Sequence, residues 1–446
     1  MKRSHRLSRR LSGTVLALGA ALVLIGSPLR AAAQGNDPPP PAVATPTASA
    51  APATAHDASD TPAPVAQSAA QSKPSFEIYG FAMLDIGHDF KQIDPDWFDT
   101  MRVTKLPSFE KQFGENNSTF AGVRQSRLGV RSSTPTALGD LKTTFEFELF
   151  GTGVDEGQTT FRLRHAYGEL GAFGAGQTWS PFMDPDVFPN SLEYWGPTGM
   201  VFFRNVQVRW MPIMSDKQTL TLALERPGAS GDPGTLGNRV EIQNIKGRNP
   251  APDFSASYIM NGKRGYVRVA GIVRRIAWDD VLNDAFELGG SATGWGLNFS
   301  SNLKPTKNDV IRIQVVYGEG IQNYMNDSPV DVGIVSNPGN VVTPIKGELI
   351  PLLGTVFFLD HTWNAKWTTS VGFSHQDNDN TEGQAPDAFH RGYYALGNLL
   401  FTPAEGVMMG GEFQWGRREN NSDGWKYDGY KIQFAFKYNF SYKLGG

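Results

Sequence analysis

Residues 426–442 read KYDGYKIQFAFKYNFSY. Tyr430, Ile432, Phe434, Phe436, Tyr438, Phe440 and Tyr442 alternate with Lys431, Gln433, Ala435, Lys437, Asn439 and Ser441. Side chains on a strand point to opposite faces in turn, so this period of two makes one face of rings and aliphatics and one of polar or small groups. Rings at both ends of the greasy face match the aromatic girdles of a strand that crosses a membrane. A half-buried sheet in a soluble protein gives the same alternation. The connections decide between the two.

From Phe76 onward the periodicity is two, and sixteen candidate strands of roughly nine to fourteen residues follow one another. Longer segments follow the odd strands: 90–118, 151–157, 180–198, 227–250, 278–289, 320–352, 377–390 and 417–426. Short turns follow the even ones: TPTA, GAFG, MPIM, NGKR, KPTK, NAK and PAEG. A sandwich has no reason to alternate in this way. An up-and-down barrel with one end outside the cell and the other in the periplasm does so by construction. The expectation is therefore an all-β chain forming a 16-stranded antiparallel transmembrane β-barrel.

The N-terminus fits export. MKRSHRLSRR is basic, LSGTVLALGAALVLIG is a short apolar run, and LRAAAQ supplies small residues for cleavage after Ala33. This is the order of a secretory signal peptide over 1–33. Residues 34–75 are rich in Pro, Ala, Thr and Ser, with few large apolar side chains to offset ordering entropy, and read as a disordered linker. The barrel then occupies 76–446. Without the six basic residues of the signal, 35 of the 41 basic groups face 44 acidic ones, a formal net charge of −9. Nucleic acid is not the expected partner. The absence of cysteine removes thiol catalysis and thiolate metal sites, and no two histidines have a helical metal-binding spacing, so no cofactor is expected.

Parity assigns faces to the arginines. Leu128 and Val130 point outward, so Gln125, Arg127 and Arg131 point inward. Arg124 falls on the wrong parity and requires a bend, a bulge or a subunit interface. Phe161, Leu163 and Tyr167 go out, with Arg162 and Arg164 in. Val206, Val208 and Trp210 place Arg209 inward; Val267, Val269 and Val273 place Arg268 and Arg274 inward; Ile311, Ile313 and Val315 place Arg312 inward. An arginine on the lipid face costs about 2–4 kcal/mol at the midplane, so these guanidiniums are expected in an aqueous bore. Glu146 and Glu148, inward by the same parity, are the main acids among them. His165 falls on the outward parity.

The connection at 180–198, SPFMDPDVFPNSLEYWGPT, has four prolines and carries Asp184, Asp186, Glu193, Tyr194 and Trp195. A stiff loop of acids and rings in a basic barrel suggests a loop folded inward to narrow the channel. RQSRLG at 124–129, GQTTFRLRHAYGEL at 157–170, GAGQTWSPFMDPDVFPN at 174–190 and YWGPTGMVFFRN at 194–205 resemble the DcaP-like family of bacterial outer-membrane porins. The resemblance implies a homotrimer of barrels in the Gram-negative outer membrane, an inward third loop, and passive uptake of small anions, dicarboxylates in particular, aromatic or aliphatic. It supports Arg127, Arg131, Arg162, Arg164 and Arg209 as pore-wall residues and the acids of 180–198 as constriction residues; Arg268, Arg274 and Arg312 rest on parity alone. Two departures stand out. Some relatives carry a coiled-coil-like N-terminal extension, whereas the proline-rich segment here could not form one. The chain also ends FSYKLGG, whereas outer-membrane barrels usually end on an aromatic, so either the closing strand stops near Phe440 or Tyr442 with a short tail or the assembly signal is weaker here.

Three readings of function differ in what they require. An anion-preferring channel needs fixed positive charge in a narrow bore. A general diffusion porin needs only the bore, and a structural or adhesive barrel needs a plug. A barrel enzyme needs a nucleophile with its base, yet GxSxG is absent and the seven histidines have no catalytic setting.

Overall fold

The computed structural model describes residues 73–445. The expected signal peptide and nearly all of the expected linker lie outside these residues. Sixteen antiparallel strands form the wall: β1 Ser75–Asp89, β2 Ser118–Gly122 continued by Arg127–Thr136, β3 Gly139–Phe150, β4 Thr159–Leu170, β5 Phe173–Trp179, β6 Arg204–Met214, β7 Gln218–Glu225, β8 Ile245–Arg248 continued by Asp253–Gly262, β9 Gly265–Asp280, β10 Gly290–Leu303, β11 Asp309–Glu319, β12 Pro351–Asn364, β13 Trp367–Asn378, β14 Phe389–Ala404, β15 Val407–Asn420 and β16 Lys426–Leu444. Each pairs with the next, and β16 pairs back onto β1 from Phe76↔Leu444 to Asp89↔Lys431. The ring is closed, so no strand edge is left unpaired in hydrocarbon. β16 runs past Tyr442 to Leu444, two residues beyond the expected stop, because Phe76 offers Leu444 a partner. A separate hairpin, Val332–Ser336 with Ile345–Leu349, sits in the long segment after β11.

The two faces follow the alternation. Phe434, Tyr438 and Tyr442 are exposed on the outside, while Lys431, Gln433, Ala435 and Lys437 are buried on the inside. Two irregularities alter the assignment elsewhere. Between the two pieces of β2 the chain turns at Val123–Ser126 and brings Arg124 inside, where it pairs with Asp99 and lies 4.0 Å over the Phe150 ring. Of the three solutions open for Arg124, the bend is the one used. In β4, Leu163 pairs with Phe147 but His165 pairs with Glu146, so Arg164 is an extra residue. This bulge inverts the parity of everything after it. Tyr167 and His165, both expected outside, are therefore buried and line an internal cavity.

The bore is not open water along its whole length. The segment 180–203 runs through it, almost wholly buried, and packs with Met101, Val103, Leu106, Tyr324 and Met325 from the other long connections. These residues make an apolar core inside the barrel on the long-loop side. Below it, in the short-turn half, the bore opens into a cavity. β6 consequently starts at Arg204, five residues later than its apolar pattern suggests, because 199–203 still belong to the inward loop.

Candidate functional site

The inward loop is fixed to the wall around its whole path. At its start, the Arg268 guanidinium donates to the Pro181 carbonyl (2.8 Å), Asn298 to that of Phe182 (2.8 Å) and Asn302 to that of Asp186 (2.6 Å). Asp184 accepts from Tyr266 (2.8 Å) and from the Ser300 hydroxyl. At the far side, the Glu412 carboxylate takes the N–H groups of Leu192 (2.8 Å) and Glu193 (3.0 Å), and Asn398 reaches the Asn190 carbonyl (2.7 Å). The return leg presses on β12 and β13 so closely that glycine is required. Gly199 has φ +71°, and a Cβ there would collide with the His375 carbonyl; one at Gly354 would collide with the Gly199 carbonyl.

Glu193, Tyr194 and Trp195 brace this loop from within instead of facing a solute path. Each is fully buried. The Glu193 carboxylate accepts from the backbone N–H groups of Met101 (3.0 Å), Trp195 (2.9 Å) and Gly196. Burial is the largest influence on it and pushes its pKa up to about 7, against the pull of those N–H groups and of Lys431. Tyr194 stacks on Phe150 and donates to Glu148 (2.6 Å). Trp195 lies against Trp97 and under the Arg102 guanidinium, 3.8 Å away. Of the loop acids, Asp184 and Asp186 alone line the cavity below.

The predicted arginines divide into three groups. Arg127, Arg162 and Arg164 surround Glu146 and Glu148: Arg127 reaches Glu148 at 3.3 Å and Glu146 at 3.5 Å, Arg164 reaches Glu148 at 2.8 Å and also pairs with Glu146, and Arg162 pairs with Glu148. Arg204, missed because alternation from Val206 put it outside, joins them 3.7 Å from Glu148. Four guanidiniums thus share two carboxylates, and Arg164 is fully buried among them. Arg131, Arg274 and Arg312 form a second group, each with a carboxylate of its own. Arg131 holds Glu77 (2.7 Å) at the short-turn rim, Arg274 holds Asp253 (3.0 Å) and Asp331 (2.8 Å), and Arg312 holds Asp360 (2.6 Å) and the Asp186 carbonyl.

Arg209 and Arg268 are the third group. They bind neutral oxygens: Arg209 the Trp179 carbonyl (2.9 Å) and Gln207 (3.1 Å), Arg268 the Pro181 carbonyl and Ser257 (3.4 Å). Both line a cavity of about 780 Å³ in the short-turn half of the bore, beneath the inward loop. Its lining carries five basic residues (Arg131, Lys142, Arg209, Arg268, Lys443) and five acids (Glu77, Glu146, Glu169, Asp184, Asp186), so the basic excess expected of the bore is not present there. Arg268 Nε and Trp179 Nε1 are buried donors without a protein acceptor beside it. Among the described residues no three His, Asp or Glu side chains gather as a metal site.

A closed sixteen-stranded barrel with an inward loop and charged groups in its bore is the architecture of an outer-membrane channel. The comparisons agree. The model of the DcaP outer membrane protein family matches residues 50–440, and the chain belongs to that family. Among solved structures, the outer membrane channel DcaP of Acinetobacter baumannii is 20% identical with a TM-score of 0.67, covering 84% of this chain and 100% of its own. OmpT of Vibrio cholerae is 12% identical (TM-score 0.51, 84% and 100%), and an anion-selective porin from Comamonas acidovorans is 8% identical (TM-score 0.55, 82% and 100%). A search among curated protein sequences finds no match. The protein resides in the Gram-negative outer membrane as a porin-class channel, a class that is not enzymatic.

Proposed function

We propose that this chain is a passive channel for small anionic solutes, dicarboxylates above all, and that it works as a homotrimer. The observation that carries the reading is the pair Arg209 and Arg268. Every other arginine predicted for the pore wall is engaged by a carboxylate of the protein; these two are held by carbonyl, amide and hydroxyl oxygens, with the Tyr167 ring 4.8 Å from Arg209. Their anchors, the carbonyls of residues 179 and 181, are two residues apart, so at most roughly 7 Å of chain separates them. That spacing suits two carboxylates on one small solute, each offered a planar fork of donors. The four-to-two ratio around Glu146 and Glu148 adds a positive field behind the site. A porin with a similar fold is anion-selective, and one neighbouring fold has been solved in a trimer form; both support the reading by analogy of fold.

Planar-bilayer recording in a salt gradient tests it. Arg209→Ala and Arg268→Ala are each expected to move the reversal potential toward cation selectivity, and the double variant to abolish block by dicarboxylates. Unchanged potentials in both single variants would make the protein a general diffusion porin. The apolar core inside the bore favours a second reading, a plugged structural barrel, for which no stable current steps would be seen.

A further inference from the structure

The barrel wall has a break on its long-loop side. β8 is in two pieces: Arg248 pairs with Ala277, and the next rung joins Phe254 to Val273. Arg274, Arg275 and Ile276 of β9 therefore have no rung toward β8. The sequence supplies the cause. Between the pieces stand Pro250 and Pro252, which have no N–H to donate, so Asn249–Pro252 leaves the ladder.

Behind the break lies a cavity of about 360 Å³, inside the range of small-molecule sites. Ile242, Ile245, Ile276, Trp278, Leu288 and Ile345 give it a largely apolar wall. Its floor is sealed from the bore by Arg274, fully buried, which holds Asp253, Asp331 and the carbonyls of Gly228 and Gly320. Its lining includes Gly247 and Arg248, both exposed, and Arg275, exposed on the parity of the outward Val273, so it reaches the outer face through the break. Arg275 binds only the hydroxyls of Thr293 (3.1 Å) and Ser291, and no carboxylate engages it. Lys346 stands exposed on the hairpin at the rim.

We propose that this break is a lateral entrance for an anionic amphiphile, an alkyl chain ending in a carboxylate or phosphate, whose chain lodges in the cavity while Arg275 and Lys346 hold its head. The long loops lie on the outer side of the membrane, so the opening is level with the outer leaflet, where such heads reside. The site lies at the opposite end of the barrel from the Arg209–Arg268 cavity and does not depend on the reading given for it. The same chemistry is presented by a free fatty acid and by an anionic glycolipid of the leaflet.

Photolabelling distinguishes the sources and tests the site. The full chain, folded into vesicles of outer-membrane glycolipid and phospholipid, is exposed to palmitate carrying a diazirine near its chain end. In a second arm the glycolipid itself carries the diazirine. Adducts are expected at 227–233, 245–249, 276–278 and 345–347, in the first arm if the ligand is a free acid and in the second if it is the leaflet lipid. At Gly247, which lines the cavity, an added Cβ meets nothing within 4 Å, so the backbone there admits a side chain and Gly247→Trp is the variant that places bulk in the cavity. It is expected to cut labelling there by about tenfold. Arg275→Gln is expected to weaken labelling less. Unaltered conductance in both variants verifies an intact barrel. Adducts spread evenly over the lipid-facing strands in both arms, or a pattern unmoved by Gly247→Trp, would overturn the proposal.

Discussion

At the scale of single residues, the arginines separate by partner, and their variants should separate likewise. Arg164 is fully buried between Glu146 and Glu148, so Arg164→Ala takes from Glu146 its nearest guanidinium, leaves it with Arg127 at 3.5 Å and opens a void among buried charges. Removing one partner of a buried ion pair costs about 3–5 kcal/mol, an upper bound here because Arg127, Arg162 and Arg204 still hold the two carboxylates. We expect the variant to unfold at markedly lower urea concentration, read by the heat-modifiable shift on a gel, while Arg209→Ala keeps wild-type stability and loses selectivity instead. Equal stability of the two would refute this division of labour. Glu193 gives a pH signature. Its folded pKa, pushed up to about 7, lies above the unfolded value near ~4.3. Its share of stability is thus complete below the unfolded value and is lost as pH rises through about 7. Glu193→Gln removes the titrating proton and keeps one acceptor oxygen, which can serve the Met101 and Trp195 N–H groups while its amide nitrogen stands opposite that of Gly196. The stability difference between wild type and Glu193→Gln should therefore change between pH 4.5 and 7.5, and a constant difference would contradict the assignment.

At the scale of elements, the inward loop is the part that sets the bore, and glycine contacts position it. Gly354→Val must push the return leg off β12, because its side chain would occupy the place of the Gly199 carbonyl. We expect a folded barrel with altered single-channel conductance and greater current noise; an unchanged trace would mean that the loop does not bound the path. The loop's inward course was legible in its prolines and its acids, and so was the inward parity of Arg209 and Arg268 from the strands around them. What was hidden was the work each group does. Glu193, Tyr194 and Trp195 have the composition of a channel face yet serve as internal braces, since sequence shows which residues a loop offers and not which it buries. His165 and Tyr167 were misplaced because one extra residue at Arg164 inverts all later positions of β4, and nothing local announces it.

At the scale of the whole molecule, the strand count and the long–short alternation of connections were readable because a closed membrane barrel leaves so few alternatives. The apolar core within the bore was not, since its residues come from three connections remote in sequence. Truncation before Lys426 removes β16 and leaves β15 and β1 each without a partner along one side. Such a chain should bind vesicles without inserting and stay open to added protease; a protected, inserted product would show that closure is dispensable.

The seam between β1 and β16 also governs timing. Every rung in it joins positions at least 342 residues apart, so nearly the whole chain must be synthesised before its two lips can meet. Contacts that distant form slowly. Until they do, both lips are adhesive ribbons that would pair with any similar molecule nearby. A protein of this shape is therefore committed to escorted transit, kept apart from its own copies between synthesis and insertion.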